Sequence, residues 1–158
     1  MMHRFHLPGS FNRHVPLVYT IAVGLKAQRV LDLGLGFSTR ALRTAMERTG
    51  GVCYSCDSAR ERFKHLYAYE DQHWKLSLNP SEVFLNRIEG PLDFVVHDAA
   101  HDYKQVRRDL ELLLPKMRRF GIIAVHDTQY PGLQQDMLAA IHDASAAAKV
   151  SLTTLPYG

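Results

Sequence analysis

The segment Val30-Leu-Asp-Leu-Gly-Leu-Gly-Phe-Ser-Thr39 is the strongest indication of the fold, because an apolar run leads directly into two glycines and then into a helical pattern. Val30–Leu33 has the character of a buried strand, and Gly34 and Gly36 permit a sharp turn after it. Ser38 is expected to cap the following helix, which Gly50-Gly51 ends. Strand, glycine turn and helix in this order predict the first unit of a parallel α/β sheet.

The same alternation of strands and helices continues along the chain. Further strands are expected at 52–56, 75–78, 92–97, 121–125 and 150–155. Further helices are expected at 11–26, from Ser58 onward, around 83–88, from Asp102 to Pro115 and over 134–148. Continuous apolar strands that alternate with helices predict a doubly wound, mainly parallel α/β sheet that is covered on both faces.

Length and composition indicate one soluble globular domain over residues 1–158. The chain is 46% apolar and 22% charged, with a net charge of +3 that is too small to indicate a nucleic-acid partner. We expect a leading helical segment at 1–27 and a motif-bearing core at 28–128. Two cysteines, no signal-peptide pattern and no apolar stretch long enough for a membrane span favour a cytoplasmic location.

Polar residues stand at the carboxyl ends of four predicted strands. They are Asp32-Leu-Gly34-Leu-Gly36, Asp57, His97-Asp98 and His126-Asp127. In open parallel sheets ligands bind outside the carboxyl ends of the strands. We therefore expect the functional site at this edge.

The glycine turn and Asp57 indicate a nucleoside-containing ligand. Asp57 follows the second strand, where a carboxylate accepts hydrogen bonds from ribose hydroxyls. These residues alone do not separate a dinucleotide site from one for S-adenosylmethionine. Thr39 occupies the place of the third glycine of G-x-G-x-x-G, and Asp32 would repel a pyrophosphate while suiting an ammonium and a sulfonium cation. The pattern therefore favours S-adenosylmethionine, with an NAD-binding protein as an alternative.

Together with Asp57, the stretches Val30–Thr39, Asp93–Tyr103 and Gly121–Thr128 resemble class I S-adenosylmethionine-dependent methyltransferases, and within them small-molecule O-methyltransferases. The resemblance covers residues 28–128 and implies a Rossmann-like methyltransferase fold. It implies that the cofactor is held by Asp32, Gly34, Gly36, Ser38, Asp57, Ser81 and Asp98. Within that set, Asp57 is expected on the ribose and Ser81 at the adenine.

The resemblance also implies how a small-molecule acceptor is activated. His101 stands where catechol-type O-methyltransferases have a catalytic lysine, so His101 and Asp98 are the expected catalytic residues. Asp98 and Asp127 occupy positions that hold a divalent metal in those enzymes, and Mg²⁺ prefers such carboxylate oxygens. Histidine titrates near neutrality and can remove the proton of a hydroxyl acceptor. Thr128 replaces a further ligand that is often found there, so a metal-free site remains an alternative.

Three further expectations concern alternative functions, the oligomeric state and the two cysteines. Only one strand, 150–155, follows the last helix, where such enzymes usually have two antiparallel strands. This shortened C-terminal edge leaves open a cofactor-binding module without turnover, and it predicts a homodimer because an exposed apolar strand invites pairing. Four His-Asp dipeptides leave a metal-dependent hydrolase as a further alternative. Cys53 and Cys56 are expected to fill the core on opposite faces of their strand.

Overall fold

A computed structural model describes residues 14–59, 70–129 and 131–151, in which strands and helices alternate. The elements are α1 (Val15–Gly24), β1 (Arg29–Leu33), α2 (Phe37–Thr49), β2 (Val52–Cys56), β3 (Trp74–Ser77), α3 (Ser81–Arg87), β4 (Leu92–His97), α4 (Tyr103–Leu113), β5 (Met117–Val125) and α5 (Gln134–Ala148). A 3₁₀ turn over Leu114–Lys116 joins α4 to β5. Within these ranges, no helix is both long and apolar enough to cross a membrane.

The five strands form one parallel sheet in the order β3-β2-β1-β4-β5. This confirms the doubly wound α/β architecture that the sequence predicts. The strand order reverses where β1 lies beside β4, and the connections on either side of that point leave the sheet in opposite directions. In open α/β sheets this point, at the carboxyl ends of β1 and β4, is where ligands are expected to bind.

The two faces of the sheet bury separate apolar clusters, and together these fix the register. Val30 and Phe94 point to the face that α1 and α2 cover. Leu31 and Val95 point to the face that α3, α4 and α5 cover. Each fully buried side chain of this kind contributes about 1.5–3 kcal/mol. A slip of one residue would exchange the two faces, so the strand ends, and with them the site, are held in place.

Cys53 and Cys56 are buried free thiols in opposite apolar clusters, as the alternation predicts. Burial raises the pKa of both thiols. Since the thiolate is the reactive form, the pair fills the core and is not suited to redox chemistry.

Several element boundaries differ from the expected ones. Strand β5 begins at Met117 and not at Gly121, because its first residues lie exposed at the sheet edge and carry no core pattern. Helix α5 ends where Lys149 takes a left-handed conformation, and neither Val150 nor Ser151 lies in a strand. The rest of the strand expected at 150–155, and most of the helix expected from Ser58, fall outside the described residues.

Candidate active site

The glycine turn after β1 packs tightly against the end of β4. Gly34 has φ +103°, and a Cβ built on it would lie 2.1 Å from the carbonyl oxygen of Asp98. Both the conformation and the close approach therefore require glycine. Gly36 differs, because its backbone is extended and a Cβ there would meet nothing within 4 Å. The turn is closed beside Gly34 and open beside Gly36, where a ligand can approach.

Asp32 lies beneath this turn and is fully buried. The Thr39 hydroxyl donates to Asp32 Oδ2 at 2.5 Å and accepts from the Gly36 N–H at 3.0 Å, while the Ser55 hydroxyl donates to the same oxygen at 3.2 Å. Burial raises the pKa of Asp32 from 3.8 to about 7, against the lowering effect of the hydroxyls of Thr39, Ser38 and Ser55. Asp32 therefore supports the turn from beneath, and its expected contact with the cofactor stays a prediction. Thr39, in the place of a third glycine, links the buried carboxylate to the turn.

Ser38 and Asp57 hold the turn from two other sides. Ser38 is buried within α2, which begins at Phe37 after Gly36, so Ser38 is not the cap that the sequence predicts. Asp57 follows β2 and accepts from the N–H groups of Leu35 at 2.9 Å and Ala59 at 2.7 Å, one on each carboxylate oxygen.

Four side chains at the ends of β4 and β5 form what we term the Asp–His cluster: Asp98, His101, His126 and Asp127. His101 Nε2 lies 3.6 Å from Asp98 Oδ1 and 3.4 Å from Asp127 Oδ2. His126 Nδ1 lies 3.3 Å from Asp98 Oδ1 and 3.0 Å from Asp127 Oδ1. Burial opposes a charge on His126, but the two carboxylates outweigh it and raise its pKa above 6.5. The cluster unites the predicted Asp98, His101 and Asp127 and adds His126, to which the sequence assigned no role.

Backbone hydrogen bonds join the Asp–His cluster to the glycine turn. The Asp98 N–H donates to the Leu33 carbonyl at 2.8 Å, and the His126 N–H donates to the His97 carbonyl at 3.0 Å. Asp127 has φ +55°, a left-handed conformation that aspartate adopts more readily than most residues. The glycine turn and the Asp–His cluster are thus joined at one edge of the sheet.

The Asp–His cluster has the dimensions of a site for one divalent cation. Asp98, His101 and Asp127 each offer a donor atom, and these atoms lie within 4.8 Å of one another. Donors that surround an ion at about 2.1 Å stand roughly 3.0–3.4 Å apart, whether the angles are octahedral or tetrahedral. The observed histidine–carboxylate separations of 3.0 to 3.6 Å are close to these values.

A second polar network lies behind the cluster, beneath α3 and α4. His97 Nε2 lies 3.0 Å from Asp109 Oδ2, and neither side chain is exposed. The other oxygen of Asp109 accepts from Ser81 at 2.9 Å and from Gln105 at 2.8 Å. The Ser81 hydroxyl therefore donates to Asp109 and accepts from Gln105 Nε2 at 3.2 Å, and its expected contact with an adenine stays a prediction. Sequence reasoning missed this network, although Asp109 stands directly beside the apolar stripe of its helix, three residues after Val106.

The comparisons with known proteins agree with this geometry. A family profile described as a methyltransferase domain matches residues 31–128, more than half of the chain. Among curated proteins, none matches the sequence significantly.

Solved structures share the fold at low sequence identity. Cofactor-bound Rv0187 from MTB is 20% identical with a TM-score of 0.67, over 87% of this chain and 69% of that one. An O-methyltransferase from Bacillus cereus in complex with SAH (S-adenosylhomocysteine) is 15% identical with a TM-score of 0.63, over 90% and 70% of the two chains. The methyltransferase MycE of the mycinamycin biosynthetic pathway, in complex with Mg and SAH, is 22% identical with a TM-score of 0.58, over 85% of this chain and 39% of MycE.

Proposed function

This chain belongs to the methyltransferase-domain family, and from that premise we propose that it transfers the methyl group of S-adenosylmethionine to a hydroxyl of a small molecule. One observation carries the choice of a hydroxyl acceptor. His101 lies between two carboxylates at the edge of the sheet, and Asp98 of that group also packs against the glycine turn. A base of this kind is needed for a hydroxyl, which is a poor nucleophile until its proton is removed.

We assign the cofactor to the glycine turn. The open space beside Gly36 admits the methionine part of the cofactor, and Asp57 accepts hydrogen bonds from the ribose hydroxyls. Asp32 and Ser38 support the turn from below through buried hydrogen bonds. An adenine contact by Ser81 would require its hydroxyl to accept from the ring while it donates to Asp109.

The proposed reaction is a direct displacement at the methyl carbon. The acceptor oxygen forms a bond to that carbon as the carbon–sulfur bond breaks, and the sulfur leaves as the neutral thioether of S-adenosylhomocysteine. The hydroxyl proton passes to His101, and Asp98 and Asp127 stabilise the imidazolium that results. Holding the two reactants at attack distance supplies much of the rate.

Asp98 and Asp127 would also hold a divalent cation. Such an ion, when bound, lowers the pKa of a coordinated hydroxyl and fixes its position. The separations within the Asp–His cluster support this assignment. Magnesium in the similar MycE structure is compatible with it.

The test compares His101→Gln with His142→Gln, whose histidine is exposed on α5. Binding of S-adenosylhomocysteine is measured by calorimetry, and transfer of labelled methyl is measured with a panel of small hydroxyl compounds. We expect both variants to bind like the wild type, while His101→Gln alone loses about 10²–10⁴-fold in rate.

Two outcomes would contradict the proposal. If the wild-type protein does not bind S-adenosylhomocysteine, the assignment of the cofactor site is wrong. If the wild-type protein binds S-adenosylhomocysteine but methylates no acceptor in the panel, the result supports a cofactor-binding module without turnover.

A cytoplasmic location and a homodimer remain predictions. The dimer is supported by the exposed edge of β5, where the Phe120 side chain is 82% exposed and Ile122 is also exposed. A long strand edge with such residues is a template for pairing with another chain.

A further inference from the structure

His126 places a nitrogen donor beside the two carboxylates that would hold a metal. Its Nδ1 lies closer to both Asp98 and Asp127, at 3.3 and 3.0 Å, than does His101 Nε2, at 3.6 and 3.4 Å. Its side chain is also less exposed, at 10% against 27% for His101. His126 is therefore the inner histidine of the cluster and His101 the outer one.

The surroundings of His126 restrict its position. Its backbone N–H is held by the His97 carbonyl at 3.0 Å, and its ring meets the His14 ring edge-on, with the centroids 5.1 Å apart. A ligand that is fixed by its neighbours loses little freedom when it binds an ion, and supported ligands bind metals more tightly.

A nitrogen ligand changes which ion the site prefers. Mg²⁺ favours oxygen donors in a near-ideal octahedron, whereas imidazole nitrogen suits the first-row transition ions from iron to zinc. The sequence alone indicates only the hard oxygens of Asp98 and Asp127 as metal ligands. The structure adds a nitrogen that is within contact distance of both.

We propose that Asp98, His126 and Asp127 form a mixed nitrogen–oxygen site for a first-row transition-metal dication, in preference to Mg²⁺. His101 stays outside this set, at the more exposed side, where it faces the acceptor as a base. The inference rests on the proposed function, since it identifies the metal that the same acceptor site would take.

The test uses the full chain after removal of metal by a chelator. Affinities for Zn²⁺, Mn²⁺ and Mg²⁺ are measured by calorimetry in the wild type, His126→Asn, His101→Gln and the control His142→Gln. We expect the wild type to bind Zn²⁺ at least about tenfold more tightly than Mg²⁺, and His126→Asn to reduce that ratio about tenfold. His101→Gln and His142→Gln should keep the wild-type ratio.

A spectroscopic readout identifies the ligand directly. Bound Mn²⁺ that is coordinated by imidazole shows nitrogen modulation in its electron spin echo. We expect this modulation in the wild type and in His101→Gln, and we expect it to be absent in His126→Asn. If His126→Asn does not fold, His126→Glu serves instead, and its Mn²⁺ should also lack the modulation.

Three further outcomes separate the metal inference from the proposed function. No binding of any of the three ions overturns the inference, even where methyl transfer proceeds and the proposed function holds. Modulation that is lost in His101→Gln and kept in His126→Asn overturns the ligand assignment. Selective metal binding by a chain that does not bind S-adenosylhomocysteine leaves the metal site standing and refutes the proposed function.

Discussion

The substitution Gly34→Ala tests whether the glycine turn is fixed by its contact with β4. An alanine at φ +103° is strained by about 1–3 kcal/mol. Its Cβ would also lie 2.1 Å from the Asp98 carbonyl oxygen, so either the turn or the loop after β4 must move by about 1 Å. Forcing a group into a well-packed site costs about 1–3 kcal/mol more. We therefore expect Gly34→Ala to lower the free energy of unfolding by about 4 kcal/mol, a large part of the usual 5–15 kcal/mol.

Gly36→Ala is the matched control for this substitution. Its backbone is extended and the space beside it is open, so its free energy of unfolding should stay within about 1 kcal/mol of the wild type. Its methyl group nevertheless enters the proposed cofactor space, so binding of S-adenosylhomocysteine should weaken. Urea unfolding followed by circular dichroism measures both stabilities. A Gly34→Ala protein as stable as the wild type, or less affected than Gly36→Ala, would show that the contact with β4 does not fix the turn.

Two more predictions concern buried carboxylates. Asp109→Ala leaves the buried His97 without its hydrogen-bond partner and should cost about 1–3 kcal/mol in urea unfolding, whereas an unchanged stability would show that this contact contributes nothing. The pKa of Asp32 is about 7 in the folded protein and 3.8 in the unfolded chain, so the folded protein binds this proton more tightly. The free energy of unfolding therefore falls as pH rises between those two values. Asp32→Asn removes that effect, and its stability relative to the wild type should rise by about 3 kcal/mol between pH 5 and pH 8. A relative stability that does not change with pH over this range contradicts the burial argument.

The sequence predicts those parts of the fold that the core determines. Strands β1 and β4 are almost wholly buried, and β2 is buried on one face and half-buried on the other, so the bounds that the sequence predicts for all three agree with the structure to within one residue. The first half of β5 was missed because Arg118, Arg119 and Phe120 are exposed at an edge, where no periodic pattern is required. A buried strand needs apolar residues, which show in the sequence. An exposed edge strand has no such requirement, and its extent follows from its pairing with the neighbouring strand.

The site was predicted less completely, because its contacts join residues that are distant in the chain. Asp98, His101 and Asp127 were found because they stand at strand ends or next to them. Thr39 was noticed only as a missing glycine, although its hydroxyl links Asp32 to the turn. His126 received no role because its closeness to Asp98 depends on the pairing of β4 with β5. Such contacts depend on the order of the strands in the sheet, which the local sequence pattern does not reveal.

Asp98 connects the two halves of the proposed reaction. Its carbonyl packs on Gly34, its N–H binds the carbonyl of Leu33, and its carboxylate contacts both His101 and His126. A shift on the Gly34 side of the turn would therefore move Asp98 and, with it, the acceptor groups. It follows that a change confined to the Gly34 side should reduce the rate of methyl transfer more than the affinity for S-adenosylhomocysteine. A change at Gly36, on the open side, should do the reverse, since it fills cofactor space and leaves Asp98 in place.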